Sequence, residues 1–245
     1  MDSNTNSRVI VALVVAIGIF FLAVVLPKLL LSSAVPTLAT TQALELLLSL
    51  LAIAILGRRR FADYGFCLPN RGVTSPNKKR WVGISLTAPL LGIAATSAIL
   101  VLGGKGNPIV RSLTLPQIIL FIWVFSSAIE EVFTRGFLQG HLSGLSGRYA
   151  NLLLFRVELP VLISALFFAS MHLVLLYVGA DAITTSVTLL FTFSIGLMAG
   201  HLRARTGSLI PAIVVHMLAN FGGMIGGIIY TFINFLITGE LPAPR

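Results

Sequence analysis

VIVALVVAIGIFFLAVVL, residues 9–26, runs for eighteen positions without a charge or an amide side chain. A chain crossing a ~30 Å hydrocarbon core as helix needs roughly 18–20 such residues, so this stretch reads as a membrane span. Ser32-Ser33-Ala34 loosely resembles a cleavage site, which raises a signal peptide as the alternative. The run is longer than a ~7–15 residue signal core, however, and only Arg8 supplies positive charge before it. It reads as the first anchor. Leu38–Leu56, Trp81–Leu102, Pro116–Ala128, Pro160–Val178, Ala182–Leu202 and Ser208–Thr238 are further blocks almost free of charge. Pro116–Ala128 crosses only if its helix runs on through the charged residues behind it. The last block has room for a tilted span plus a partial one. The expectation is an all-α, polytopic transmembrane helix bundle with seven or eight spans.

Composition agrees. Of 245 residues, 56% are hydrophobic and 10% charged, against about 25% charged in a soluble domain. Backbone in lipid must satisfy its own hydrogen bonds, so long apolar runs are helices. The short alternating segments of a membrane β-barrel do not occur. The net charge of +9 follows the loops. Arg58, Arg59, Arg60, Arg71, Lys78, Lys79 and Arg80 all lie between the second and third blocks. With that loop in the cytosol, alternation also places Arg8, Arg135, Arg148, Arg156, Arg203 and Arg205 there. Lys28, Lys105 and Arg111 fall on the far side, and Arg245 depends on the number of crossings. This is the positive-inside asymmetry. It accounts for the charge without a nucleic-acid partner; membrane lipid is the partner it implies. The lone Cys67 excludes a disulfide framework within one chain.

Residues 1–245 read as a single membrane domain. Gly57–Arg80 has turn signals at Pro69-Asn70, Gly72 and Pro76 and too few apolar residues for a core. Gly136–Leu159, with apolar and polar residues interleaved, reads as an interfacial segment on the cytosolic face. No repeat of 20–50 residues is seen. Gly196/Gly200, Gly222/Gly226 and Gly223/Gly227 are small-residue pairs that let helix backbones approach, here read as packing within the chain.

Ionisable groups are costly in the bilayer, so those within the apolar blocks carry the functional reading. They are Glu45, Glu130, Glu131, Arg135, His172, His201 and His216, with the amide of Asn220. Glu131 and Arg135 stand four apart on one helix face, as an ion pair. Glu130 is turned ~100° from Glu131 on a 3.6-residue helix, leaving its carboxylate free. His216 and Asn220 share a face by the same spacing. Phe168, four before His172, is placed to orient that ring. Helix rise puts Glu130, His172, His216 and Asn220 together in the cytosolic half of the membrane. His141 and His201 fit no motif and read as interfacial and satisfied, and Glu45, alone on its span, reads as structural.

Three motifs emerge in order on three spans. Glu130-Glu131-Val132-Phe133-Thr134-Arg135-Gly136 matches E-E-x-x-x-R, Phe168 to His172 matches F-x-x-x-H, and His216 to Asn220 matches H-x-x-x-N, approached by Arg205-Thr206-Gly207-Ser208-Leu209-Ile210-Pro211. Together they resemble the CAAX protease and bacteriocin-processing (CPBP, or Abi) family of intramembrane peptidases, which includes the type II CAAX prenyl endopeptidases. The resemblance covers about Pro116–Phe221, the expected catalytic core (116–221), and no motif residue departs from it.

These residues suit amide hydrolysis. Glu130 with His172 would hold and deprotonate a water, while His216 and Asn220 would donate to the oxyanion. The resemblance implies the same allocation, with Glu131 and Arg135 positioning the first carboxylate and Phe168 in support. It also implies a protein or peptide substrate, prenylated or not. Two histidines and a glutamate could instead hold a catalytic zinc, although no H-E-x-x-H helix is present. The expectation is an enzyme without a metal cofactor. The alternatives are a zinc-dependent version of the same peptidase and a non-enzymatic immunity or scaffold membrane protein. A transporter would show inverted repeats, and none is found.

Overall fold

The computed structural model describes residues 3–31, 34–69, 78–152 and 155–239. Arg71, Arg245, the Ser32-Ser33 pair and the turn signals at Asn70, Gly72 and Pro76 lie outside the described residues. Seven helices among the described residues are long and apolar enough to cross a membrane. They are α1 (Ser3–Leu30), α2 (Ala34–Leu56), α3 (Lys78–Val101), α4 (Leu115–Leu145), α5 (Leu159–Tyr177), α6 (Ala182–Thr206) and α7 (Ile210–Thr238). The chain is an integral, multi-pass membrane protein. Its outward side chains fit that solvent. Ile10, Val14, Ile17 and Phe21 make an exposed stripe along α1, at spacings of three and four that keep one helix face toward lipid.

The only strands among the described residues are β1 (Tyr149–Leu152) and β2 (Phe155–Glu158), an antiparallel hairpin pairing Tyr149 with Glu158 and Leu152 with Phe155. Buried apolar residues fall into two groups. One joins α1, α2, the second half of α4 and α5 around Phe133, Phe137, Leu138 and Phe168. The other joins α3, α6 and α7 around Ala88, Ile195, Val215 and Ala219.

Small residues set the second group's geometry. A methyl on Gly222 would overlap the backbone of Pro89, and one on Gly92 the backbone around Ala219. Helices α3 and α7 therefore touch along their backbones. Cβ atoms at Gly196 and Gly200 would crowd Ala165 and Val161 of α5. The glycine pairs thus serve packing within one chain.

The entry to α7 is clamped. Gly207 closes α6 in a left-handed conformation, φ 71°, which glycine adopts without steric cost. The segment after α2 then docks on the turn: Leu209 N–H donates to Gly65 O at 3.0 Å, Ser208 Oγ to Cys67 O at 2.6 Å, and Arg203 Nη2 to Asp63 O at 2.8 Å. Pro211 occupies the first turn of α7, where its missing N–H costs nothing. His216 lies less than two turns beyond this anchor.

Two expectations are corrected. The fourth span does not end near Arg135. It continues to Leu145, and Gly136–Gln139 are buried rather than interfacial. The polar groups that suggested an interface have partners: Gln139 Nε2 donates to Gly200 O at 2.9 Å, and His141 Nδ1 lies 3.0 Å from the Tyr64 hydroxyl. Of that stretch, β1 and β2 have the half-exposed character anticipated for all of it. The last block also forms one unbroken helix to Gly239, with no second partial span. The count is seven.

Cys67, the chain's one cysteine, is exposed in the segment after α2, which makes the charge-derived topology testable. A membrane-impermeant maleimide is expected to leave it unmodified in intact cells and to label it after permeabilisation. Labelling in intact cells reverses the orientation.

Candidate active site

Helix α4 carries the acidic pair in an irregular setting. A single α-helical turn, Ser127–Glu131, lies between two π-helical stretches, Ile118–Ser126 and Val132–Leu138. Such widened turns are uncommon and gather at functional positions.

The two glutamates differ as their spacing predicts. Glu131 is fully buried and accepts from Arg135 Nη1 at 3.1 Å. Glu130 retains 18% side-chain exposure, so it is the carboxylate a substrate or water can reach. Its Oε1 accepts from Ser126 Oγ, one turn earlier, while Thr134 Oγ1 donates to its backbone carbonyl. The Arg135 Nη1 also donates to Thr134 Oγ1. Its guanidinium carbon sits 4.5 Å from the centroid of the Phe168 ring, a cation–π contact.

His216 joins the acidic pair from α7. Its Nδ1 is 3.0 Å from Glu131 Oε1, and its Nε2 is 3.8 Å from Glu130 Oε2. Carboxylates accept, so Nδ1 carries the proton in this bond and Nε2 is left facing Glu130. One oxygen of Glu131 thus holds both Arg135 and His216. The sequence anticipates the first contact and not the second.

Phe168 is the hub of the apolar side. His172 packs edge-on against it with centroids 5.1 Å apart, and His216 does the same from the other element at 5.4 Å. His172 Nδ1 donates to the Phe168 carbonyl at 3.0 Å, which leaves Nε2 as its outward nitrogen. Asn220 is engaged differently. Its Nδ2 donates to Ser127 Oγ at 3.0 Å and Ile122 O at 3.2 Å. The asparagine therefore ties α7 to α4 beside the glutamates.

A cavity of about 940 Å³ reaches Asn220, but Glu130, His172 and His216 are not among its lining residues. Its rim carries Lys105 and Arg111, at the end of the bundle opposite Arg58–Arg60. Among the described residues, no three His, Cys, Asp or Glu side chains gather as metal ligands.

Sequence reasoning missed Ser126, Ser127 and Thr134. Ser126 and Thr134 stand four residues to either side of Glu130, a spacing that could have revealed them. Glu45 is a further buried carboxyl, on the helix packed against α4. Its Oε1 has no hydrogen-bond partner among the described residues, and the residue lies close enough to Glu130 to interact with its charge.

Residues 112–222 match the family model for type II CAAX prenyl endopeptidase, Rce1-like. This stretch is an Rce1-like domain. It begins just before α4 and ends two residues beyond Asn220, so every residue of the three motifs lies inside it. The match supports a CAAX-type intramembrane peptidase in general terms. No curated protein and no solved structure gives a significant match.

Proposed function

We propose that the chain hydrolyses peptide bonds of membrane-associated or lipidated substrates, using a water activated by Glu130 without a metal. The observation that carries this reading is the placement of the reachable Glu130 carboxylate 3.8 Å from His216 Nε2. That gap is too long for a direct hydrogen bond and short enough for one water to contact both groups.

Glu130 takes a proton from the water, and the water oxygen adds to the scissile carbonyl carbon. His216, held through Nδ1 by Glu131, turns Nε2 to the oxyanion. Donors of this kind contribute roughly 3–4 kcal/mol each. Collapse breaks the C–N bond, and the proton held by Glu130 passes to the departing nitrogen, giving a carboxylate and an amine. His172, oriented by Phe168, presents Nε2 to the water. Asn220 supplies the second oxyanion donor when a substrate displaces its amide from Ser127. Glu131 and Arg135 position His216. The reacting groups lie in the cytosolic half: His216 is six residues along α7 from Ile210, ~9 Å at ~1.5 Å per residue.

The test is cleavage of internally quenched peptides, prenylated and unprenylated, by purified protein in nanodiscs. Wild type is expected to cut at an internal amide at a rate unchanged by 1,10-phenanthroline, and His216→Ala to lose most of that rate. Equal background rates for both proteins would favour the scaffold reading. Inhibition reversed by zinc would favour the metalloenzyme.

A further inference from the structure

The cavity of about 940 Å³ between α3, α4, α6 and α7 has no part in the chemistry above beyond touching Asn220. Its volume falls within the ~300–1,000 Å³ common for ligand sites. Its walls are mostly apolar, including Ile99, Ile122, Phe191 and Met224, and the only charged side chains lining it are Lys105 and Arg111. Neither cation forms an ion pair among the described residues. The acid at this end, Asp181, is already engaged. It accepts from Thr184 N–H at 2.8 Å, and from Lys105 N–H and the Thr184 hydroxyl, each at 2.7 Å. These bonds, that of the Thr184 N–H first, hold its carboxyl well below the usual range. Its charge is turned to backbone and hydroxyl rather than to the two cations.

Length identifies the ligand class. The α7 residues lining it run from Ala219 to Phe235, sixteen residues and ~24 Å of helix rise. That is long enough for an extended acyl chain within a ~30 Å hydrocarbon core. Ile228 and Phe232 line the cavity and are also 62% and 60% exposed, so the wall opens sideways to the bilayer. An extended peptide would bring unpaired backbone N–H and C=O groups into these apolar walls. An acyl chain brings none.

We propose that this cavity binds one membrane lipid with an anionic headgroup, the headgroup held by Lys105 and Arg111 and one chain lying along α3 and α7 toward Asn220. The lipid belongs to the leaflet on the Lys105 side, opposite the arginine-rich loops. The assignment is independent of the peptidase reading, because it concerns binding alone.

Gly227 provides a way to block the tail without touching the charges. It lines the cavity, and a Cβ there meets only the Thr96 Cγ2 within 4 Å, at 3.9 Å. The experiment compares thermal midpoints in nanodiscs of phosphatidylcholine alone and of phosphatidylcholine with phosphatidylglycerol. Ligand at about a hundred times its dissociation constant is expected to raise the wild-type midpoint by ~5 °C or more. The Lys105→Gln/Arg111→Gln protein should lose the rise, the charge-keeping Lys105→Arg/Arg111→Lys protein should retain it, and Gly227→Leu should lose it with both cations intact. No rise in wild type, or an equal rise in the Lys105→Gln/Arg111→Gln protein, overturns the proposal. A rise kept by Gly227→Leu and lost by the glutamine pair overturns the cavity and leaves only a surface headgroup contact.

Discussion

Glu130→Gln is expected to leave a folded protein whose cleavage rate is at least ~10²-fold below wild type. Glutamine keeps the length of the side chain and can still accept from Ser126 Oγ through its carbonyl oxygen, so the local packing survives. It cannot take a proton from water. Folding should be little changed, because Glu130 is the part-exposed member of the pair, and Arg135 and His216 both hydrogen-bond to Glu131 instead. The measurement is the rate on a quenched peptide alongside the thermal midpoint. An active, stable Glu130→Gln protein would transfer the base role elsewhere, to Glu131 first, whose carboxylate already contacts His216. Glu130→Asp separates position from chemistry. It keeps the acid and withdraws it by one methylene, so a partial rate with an unchanged pH profile is the expected result.

How much of this could be read in advance depends on the range of each interaction. Seven helices were legible because a membrane span is a long local run, visible as soon as apolar residues are counted. Contacts within one helical turn were legible too: Glu131 with Arg135, and Phe168 with His172, follow from spacing. The continuation of α4 past Arg135 was not. Its Gln139 and His141 look like interface residues until α6 supplies the Gly200 carbonyl and the segment after α2 supplies Tyr64. The same holds at the site. His216 and Glu131 are 85 residues apart, and no periodicity in α7 indicates which glutamate its imidazole will choose. The depth of Asn220 within its helix was foreseeable. Its attachment to Ser127 and Ile122 depends on how α4 widens into π-turns around them. Glu45 was treated as structural because it stands alone on its helix, and only the packing of α2 against α4 brings it near Glu130.

Glu131→Gln is expected to be the most destabilising single change in the site. Arg135 is fully buried, and its Nε and Nη2 have no hydrogen-bond partner among the described residues. Glu131 is therefore its sole anionic contact, with Thr134 Oγ1 and the Phe168 face as the remaining support. Removing one partner of a buried ion pair costs about 3–5 kcal/mol, because the other charge remains out of water. For a chain of this length that is a fall in midpoint of ~6–20 °C. Neutralising both ends should be milder. Glu131→Gln/Arg135→Met removes the stranded charge, and a recovery of more than half the lost midpoint is expected. Activity need not follow stability. In the double variant His216 Nδ1 still faces an amide oxygen, which fixes the ring but is a weaker acceptor than the carboxylate. The rate should therefore stay well below wild type even where the fold has recovered. A double variant with both stability and rate restored would show that Glu131 serves the fold alone. One no more stable than Glu131→Gln would show that the carboxylate's bond to His216, rather than its pairing with Arg135, holds α4 and α7 together.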